Sequence, residues 1–417
     1  MSSLLARTER LLRWSEKYMK TDMVYLAKGG FWLTLGQIVS VATGLLLVIA
    51  FANLLPKDVY GNYKFILSLA GIISAFTLTG MDVAVTQAVA RGADGAFRTG
   101  FRVQLKWSLL ILLAALFGAV YYEIQGNRIT AISLLIVGAC APIIESCSLS
   151  GAYLNGKKDF RASAFYGIFR NLVPMTALIV TMAYTQSLLL IVLAYFLSHA
   201  LSSSLVYLHV LKTYAPARTA DDSNISYSKH VSFLNITSII ISYIDKILVF
   251  HFLGAVQLAI YGIAFSLPGQ MKVVTKTINT LAFPKMSSAP LSAIRETIYQ
   301  KAFRLFLVFA VVVVAYILAA PFIFRLMFPQ YLEAVPLSQL FALGYLFSPV
   351  ILFSQAFLAQ KRKKEIYVNK IAAACIRVTL LLTLLPAFGI WGAGFAYVLG
   401  NAASFVITIV LFQRLRE

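Results

Sequence analysis

Eight ionisable side chains lie inside long apolar stretches of the sequence, where a charge is costly. Placing one such charge at the centre of a bilayer costs about 2.5–3.5 kcal/mol, so we expect these side chains to face protein or a water-filled cavity. The bases outnumber the acids, and this surplus suits a ligand with concentrated negative charge, because guanidinium and ammonium groups bind phosphate oxygens. The bases are Arg170, Lys246, Lys272, Lys276 and Arg377, and the acids are Asp82, Glu145 and Asp245.

Four of the five bases fall in the second half of the chain, where Asp245 is the acid among them. Lys272 and Lys276 are four residues apart and would share one face of a helix. Asp245 and Lys246 are adjacent, so on a helix they would point about 100° apart, and we do not assume that they pair. We predict a cationic binding cavity formed by Arg377, Lys246, Lys272 and Lys276, with Arg170 from the first half. The alternative is that these cations pair with backbone carbonyls, extend to the membrane surface or support packing.

The charges of the first half share a depth in the membrane. Asp82, Glu145 and Arg170 each lie nine or ten residues from the inner end of their apolar stretch, which is about 13–15 Å along a helix. Arg170 could therefore pair with one or both carboxylates, either as a static bridge or as a latch sensitive to protonation. His199 could titrate near neutral pH, or be only hydrogen-bonded. The predicted coupling or gating residues are Asp82, Glu145, Asp245 and His199.

Composition identifies the kind of protein that must position these charges. Of 417 residues, 60% are hydrophobic and 12% are charged, against about 25% charged in a soluble protein. Mean hydropathy is +0.81. Disordered, collagen-like, disulfide-stapled and nucleic-acid-binding chains are excluded.

Windows of about 20 apolar residues predict twelve membrane spans: 31–54, 64–90, 103–122, 129–154, 161–184, 187–211, 230–253, 257–283, 303–324, 334–358, 366–386 and 389–412.

The basic residues predict which way these spans run. With the N-terminus inside, the inner segments hold 27 Lys and Arg residues and the outer segments hold four. Short cytoplasmic loops carry such an excess, so both termini are predicted to be cytoplasmic. The net charge of +20 then mostly reflects the excess of basic residues in the cytoplasmic segments and their attraction to anionic lipid. In residues 1–30, apolar side chains recur every seven residues among basic ones. This pattern predicts an amphipathic segment on the cytoplasmic leaflet, and the alternative is a solvated charged tail.

An internal repeat divides the spans into two halves. Tyr63 and Ser68 recur as Tyr261 and Ser266, and two further sets recur in the same order at similar offsets. Six spans per half give both halves the same orientation. The predicted fold is therefore all-α, with 12 transmembrane helices in two parallel-oriented six-helix bundles around a central cavity. The predicted domains are an amphipathic segment (1–30), an N-terminal bundle (31–211), a cytoplasmic linker (212–229) and a C-terminal bundle (230–413).

In the last span a four-residue spacing of small residues predicts a packing face, formed by Gly392, Ala396, Gly400 and Ser404.

Four segments carry a resemblance to a known family. The stretch DKILVFHFLGAVQLAIYGIAFSLP at 245–268 resembles the helix 7–8 hairpin of polysaccharide (O-antigen) flippases, which belong to the multidrug, oligosaccharidyl-lipid and polysaccharide exporter superfamily. LLPKDVYGNYKFILSLAG at 54–71, LAQKRKK at 358–364 and FGIWGAGFAYVLG at 388–400 resemble other segments of the same proteins.

This resemblance implies a flippase that moves an undecaprenyl-diphosphate-linked oligosaccharide, such as an O-antigen unit used in lipopolysaccharide biosynthesis, from the inner to the outer leaflet of the bacterial inner membrane. It also implies alternating access, a cationic central cavity and coupling to a proton or sodium ion, as in an antiporter. A glycan polymerase and a chain-length regulator are the implied protein partners. No metal, cofactor or enzymatic activity is predicted. The alternatives are a cation-coupled small-molecule exporter of the same superfamily and a membrane-embedded glycan-processing enzyme.

Overall fold

The computed structural model describes residues 23–217, 225–273, 275, 278, 286–287, 290–360 and 362–415. Two of the predictions fall outside these residues, namely Lys276 and most of the amphipathic segment at 1–30. Every regular element among the described residues is a helix, so the all-α fold is confirmed. Large apolar side chains cover its outside, and Phe117, Leu318 and Phe322 are each more than 70% exposed. Such a surface suits lipid, in which a helix satisfies its own backbone hydrogen bonds.

The described residues of the N-terminal part of the chain form seven helices. Most of them follow one another through turns of a few residues. Asn127 and Asp159 cap two of the helices, because their side chains accept hydrogen bonds from the backbone N–H groups of Thr130 and Ala162. Without these caps the two N–H groups would have no partner within the helix. The helices are α1 (Met23–Leu54), α2 (Lys57–Ser74), α3 (Met81–Ala90), α4 (Ala96–Ile124), α5 (Arg128–Gly156), α6 (Phe160–Tyr184) and α7 (Leu188–Tyr214).

In the C-terminal part, the residues that the structure describes form six further α-helices and three short 3-10 helices. The α-helices are α8 (Ile225–Ser266), α9 (Leu291–Met327), α10 (Val335–Leu343), α11 (Val350–Ala359), α12 (Lys363–Phe388) and α13 (Ile390–Gln413). The 3-10 helices are Pro268–Met271, Pro329–Ala334 and Gly344–Phe347.

Among the described residues, nine helices are long and apolar enough to cross a membrane, or ten if a bent pair counts as one span. The predicted count of twelve is therefore not confirmed. The predicted span 64–90 is interrupted between Ser74 and Met81, and 334–358 is the pair that bends by 42° before Val350. Pro349 at that bend lacks the N–H that a continuous helix would need.

The chain reverses within α8, at Gly254. This glycine has a φ of +83°, a conformation that side chains other than hydrogen strongly disfavour. Sixteen residues of continuous helix would separate Asp245 from Tyr261 by about 24 Å, yet the Tyr261 hydroxyl lies 2.7 Å from Asp245 Oδ2. The described residues of the two predicted spans 230–253 and 257–283 thus form two limbs of a hairpin, which the count of nine takes as the single helix Asn235–Met271.

The helices form two compact units. The described residues of Met1–Leu47 and Ala70–Ile236 form the first unit, whose core includes Phe97 and Tyr153. Val48–Leu69 and the described residues of Thr237–Glu417 form the second. The predicted domain ranges did not assign the segment 48–69, which is the end of α1 and most of α2, to the second unit.

Within the second unit, the first half of α2 packs closely on the α8 hairpin. A Cβ on Gly61 would lie 1.8 Å from the carbonyl oxygen of Ala255, so only glycine permits this approach. Next to it, Phe65 stacks on Phe250 with ring centroids 3.7 Å apart. These contacts fix the position of the hairpin, which also carries Asp245 and Lys246.

Candidate functional site

Asp245 is the centre of a charged cluster inside the second unit. Its carboxylate is buried and accepts hydrogen bonds from the Tyr261 hydroxyl at 2.7 Å and from the Lys246 backbone N–H at 2.9 Å. The Arg377 guanidinium donates to the same carboxylate at 3.2 Å. We call Asp245, Lys246, Tyr261, Lys272 and Arg377 the Asp245 cluster. The Gly254 hairpin brings four of them together, and α12 supplies Arg377.

Each cation of the Asp245 cluster lies over an aromatic ring. Lys272 Nζ is 5.2 Å from the centroid of the Phe265 ring. Lys246 Nζ lies over Tyr243 at the same distance, and Arg377 Cζ lies 5.4 Å from the centroid of Tyr397. Such contacts favour a cation by up to about 2 kcal/mol where water is excluded. Aromatic faces therefore help to hold three positive charges around one carboxylate.

The geometry refines two expectations for these residues. Asp245 and Lys246 do approach each other, with Lys246 Nζ 3.5 Å from Oδ1, the long end of an ion pair. Arg377 pairs with Asp245, so part of its charge is already offset. Lys272 remains near enough to Arg377 and Lys246 for their charges to interact. Three of the predicted cations, Lys246, Lys272 and Arg377, thus gather around Asp245. Arg170 belongs to the first unit and is not part of this cluster, and Lys276 lies outside the described residues.

Arg377 also lines a cavity of about 280 Å³ within the second unit. Lys370, two turns earlier on α12, lines the same cavity, and residues seven apart share one side of a helix. The remaining polar lining is uncharged. The hydroxyl and amide groups come from Thr237, Ser238, Asn401 and Ser404. We call this space the cationic cavity, because two positive charges face four neutral hydrogen-bonding side chains in it.

The cationic cavity suits an anion with several oxygens. Arg377 carries five N–H donors, and Asp245 accepts from one of its terminal nitrogens, so other donors remain. For Lys370, no ion pair is found in the part of the chain that the structure describes. The hydroxyl and amide groups add neutral hydrogen-bond partners. A phosphate or diphosphate group would meet both charge and hydrogen-bond requirements here.

The first-half residues form two smaller groups in the first unit. Asp82 lies near enough to Glu145 for their charges to interact. Arg170 interacts instead with Cys147 and His199. Over the described ranges, no ion pair joins Arg170 to either carboxylate. The distance along each helix placed Asp82, Glu145 and Arg170 at one depth in the membrane. It could not show in which direction around its helix axis each side chain points.

The break after α2 gives Asp82 a local role. Asp82 lies in the first turn of α3, and its Oδ1 accepts from the Val83 backbone N–H at 2.7 Å. A carboxylate there is stabilised by the positive end of the helix dipole. Asp82 therefore needs no cationic partner to be accommodated.

Sequence reasoning missed several lining residues of the cationic cavity. Lys370 was not among the predicted site residues, although its seven-residue spacing from Arg377 was a usable signal. Ser404 was interpreted as part of a packing face, yet it lines the cavity together with Gly400. Asn401, between them, carried no signal beyond its polarity in an apolar span. Among the described residues, no group of three or more His, Cys, Asp or Glu could hold a metal ion.

A family model described as "Polysaccharide biosynthesis protein" matches residues 26–289. This match spans more than half of the chain. The chain belongs to the polysaccharide biosynthesis protein family. The resemblance drawn from the sequence segments is thus confirmed at the level of the family. A comparison with curated proteins finds no significant match.

Solved structures show which fold this family member has. An inward-facing multidrug resistance MATE family transporter of the MOP superfamily matches with a TM-score of 0.76 and 14% identity, covering 92% of this chain and 97% of the transporter. The lipid II flippase MurJ in an inward closed conformation matches with a TM-score of 0.70 and 14% identity, covering 90% of this chain and 86% of MurJ. The chain therefore has the fold of MOP-superfamily transporters and flippases, and is a multi-pass membrane protein.

Proposed function

We propose that this protein is a flippase that carries an undecaprenyl-diphosphate-linked oligosaccharide from the inner to the outer leaflet of the bacterial cytoplasmic membrane. The cationic cavity is the observation that carries the proposal. Its two cations, Lys370 and Arg377, and its hydroxyl and amide lining match the diphosphate, the part common to all such lipids. The family to which the chain belongs supports a role in polysaccharide synthesis.

The charge of the cavity argues against an exporter of cationic compounds. Such an exporter would need acidic side chains in its binding cavity, whereas the cationic cavity is lined by two bases. The one nearby carboxylate, Asp245, is buried and already accepts hydrogen bonds from Tyr261 and Arg377. An organic cation would therefore meet repulsion here, and a diphosphate would meet attraction.

We assign ion coupling to the first unit. Asp82 and Glu145 are the two carboxylates whose charges interact there. His199 lies near Arg170, and its Nδ1 is buried without a hydrogen-bond partner among the described residues. A proton bound during part of the transport cycle would relieve the repulsion between the two carboxylates. Glu145 is the proposed carrier of that proton.

The test compares transport with folding, because Arg377 has a structural partner. Surface glycan is measured in a flippase-deleted strain and normalised to monodisperse protein extracted in detergent. Arg377→Glu should reduce glycan more than Arg377→Ala, and Arg377→Lys should be partly impaired because an ammonium cannot make bidentate contacts. Lys246→Ala, Lys272→Ala and Lys370→Ala test the other cations. Arg325→Ala is the matched control, since Arg325 is exposed near the end of α9.

A double variant separates binding from packing. Asp245→Ala with Arg377→Ala leaves neither charge unpaired, so it should recover much of the folded protein that either single change loses. Glycan should stay low in the double variant if Arg377 holds the diphosphate. Wild-type glycan in the folded double variant and in Lys370→Ala would contradict the proposed cavity.

A further inference from the structure

A second cavity adjoins the cationic cavity inside the second unit. It has a volume of about 240 Å³ and shares two lining residues, Asn401 and Ser404, with the cationic cavity. Both come from α13, three residues apart on one helix face. Each cavity alone is smaller than the roughly 300–1,000 Å³ typical of small-molecule sites, but the two together reach that range. Their arrangement suits one ligand with two chemically different parts.

The second cavity differs from the first in its chemistry. Among the described residues, no charged side chain lines it, and aromatic rings form part of its wall. We call it the aromatic cavity, after Tyr345, Phe347 and Tyr397. Gly344 makes this wall possible, because a Cβ there would lie 2.5 Å from the Tyr397 ring. Without a Cβ, the Tyr397 ring packs directly against the Gly344–Phe347 helix.

Three serines of the aromatic cavity have hydroxyl groups for which the described part of the chain offers no hydrogen-bond partner. Elsewhere in the chain, Ser133 and Ser146 donate to the carbonyl oxygen four residues earlier, as serines in apolar helices commonly do. Ser348, Ser354 and Ser404 line the aromatic cavity, and for these hydroxyls the described residues provide no hydrogen bond. A polar group in an apolar surrounding is costly when unpaired. These hydroxyls are therefore available to a polar, uncharged ligand.

We propose that the aromatic cavity binds a sugar of the lipid-linked glycan, next to the diphosphate in the cationic cavity. A pyranose presents hydroxyls that both donate and accept, which serine hydroxyls and the Asn401 amide can match. Its C–H faces are apolar and pack against aromatic rings. The sugar attached directly to the diphosphate is the part that would reach past Asn401 and Ser404. This inference rests on the proposed function, and it assigns recognition of the first sugar to the second unit.

The test measures preference for a sugar on the same diphosphate lipid. Purified wild-type protein is incubated with undecaprenyl diphosphate, or with the same lipid carrying N-acetylglucosamine, N-acetylgalactosamine, glucose or galactose, and bound lipid is quantified by native mass spectrometry. We expect at least one glycosylated lipid to bind roughly tenfold more tightly than bare undecaprenyl diphosphate, a difference that two or three hydrogen bonds can supply.

Variants that fill the aromatic cavity should remove this preference. Ser354→Met and, independently, Ser348→Met should reduce the affinity ratio to about one while leaving the binding of bare undecaprenyl diphosphate within about twofold. Ser292→Met is the control, because Ser292 is exposed on α9, and it should keep the wild-type ratio. Each variant is used only as monodisperse protein, and two independent positions guard against misfolding of one.

The outcomes separate the two proposals. Equal binding of bare and glycosylated lipids by the wild type would overturn the sugar site alone, as would a preference that persists in the folded variants. Absence of binding for every diphosphate lipid would contradict the proposed function and the sugar site together.

Discussion

The ion pair between Asp245 and Arg377 should make a large contribution to the stability of the second unit. Removing one partner of a buried pair costs about 3–5 kcal/mol, because the other charge is left without compensation. The Asp245 side chain is 7% exposed and that of Arg377 is 23% exposed, so water can partly solvate the arginine. We therefore expect Asp245→Ala to lower the free energy of unfolding by about 3 kcal/mol, the lower end of that range.

The double variant tests whether this cost comes from the pair. Asp245→Ala with Arg377→Ala removes both charges of the pair, although Tyr261 still loses the acceptor of its hydroxyl and Lys246 loses its more distant ion pair. The cost of the double variant should fall short of the sum of the single costs by about 2 kcal/mol, well above the roughly 0.5 kcal/mol scatter of independent sites. The assay is unfolding by dodecyl sulfate in mixed micelles, followed by circular dichroism and intrinsic fluorescence.

A second pair in the same unit provides the comparison. Lys57 and Glu333 also form an ion pair, but their side chains are 30% and 53% exposed. Exposed pairs are worth about 0–1 kcal/mol, so the corresponding cycle should show little coupling. Additive costs for Asp245→Ala and Arg377→Ala, or a coupling no larger than that of the exposed pair, would refute the reasoning.

Three further predictions follow from the fold and the charges. A Cβ on Gly392 would lie 1.9 Å from the Leu384 carbonyl oxygen, so Gly392→Ala should lower the free energy of unfolding by about 1–3 kcal/mol. Gly44 has open space around it, so the control Gly44→Ala should be neutral or slightly stabilising. Equal effects of the two substitutions would contradict the close approach at Gly392. Cysteines introduced at Lys57 and Arg362 test the topology, because an impermeant thiol reagent outside spheroplasts should label the first and not the second, and the reverse pattern would overturn it. Glu145→Gln should abolish the pH dependence of transport at normal expression, and unaltered pH dependence in both Glu145→Gln and Asp82→Asn would reject proton coupling at these carboxylates.

The helical class and the reversal after residue 253 could be predicted from the sequence, because both depend on local patterns. Apolar stretches of fixed length predict membrane helices, and a glycine between two such stretches permits the sharp turn that Gly254 makes. The interruption between Ser74 and Met81 could not be predicted in the same way. Its residues are as apolar as those on either side, so hydropathy does not distinguish a break from a continuous helix.

The residues of the candidate site were predictable by type but not by partner. A charge in an apolar stretch is visible in the sequence, and Arg377, Lys246 and Lys272 were all identified in that way. Their direction around the helix axis was not visible, so the pairing of Arg377 with Asp245 appeared only with the fold. Small polar residues such as Ser354 and Ser404 gave no signal specific to binding, because serine is also enriched where membrane helices pack against one another.

The Asp245 cluster gives a physical reason why a binding site for a diphosphate would contain a carboxylate. A carrier must bind its substrate on one side of the membrane and release it on the other, so binding that is too tight would stop the cycle. Asp245 offsets part of the charge of Arg377 and fixes its position, while Tyr397 supports the guanidinium from one face. Under the proposed function, Arg377 then offers directed hydrogen bonds with reduced net charge. The diphosphate would be recognised by geometry as well as by attraction, and its release would leave behind an arginine that still has a partner.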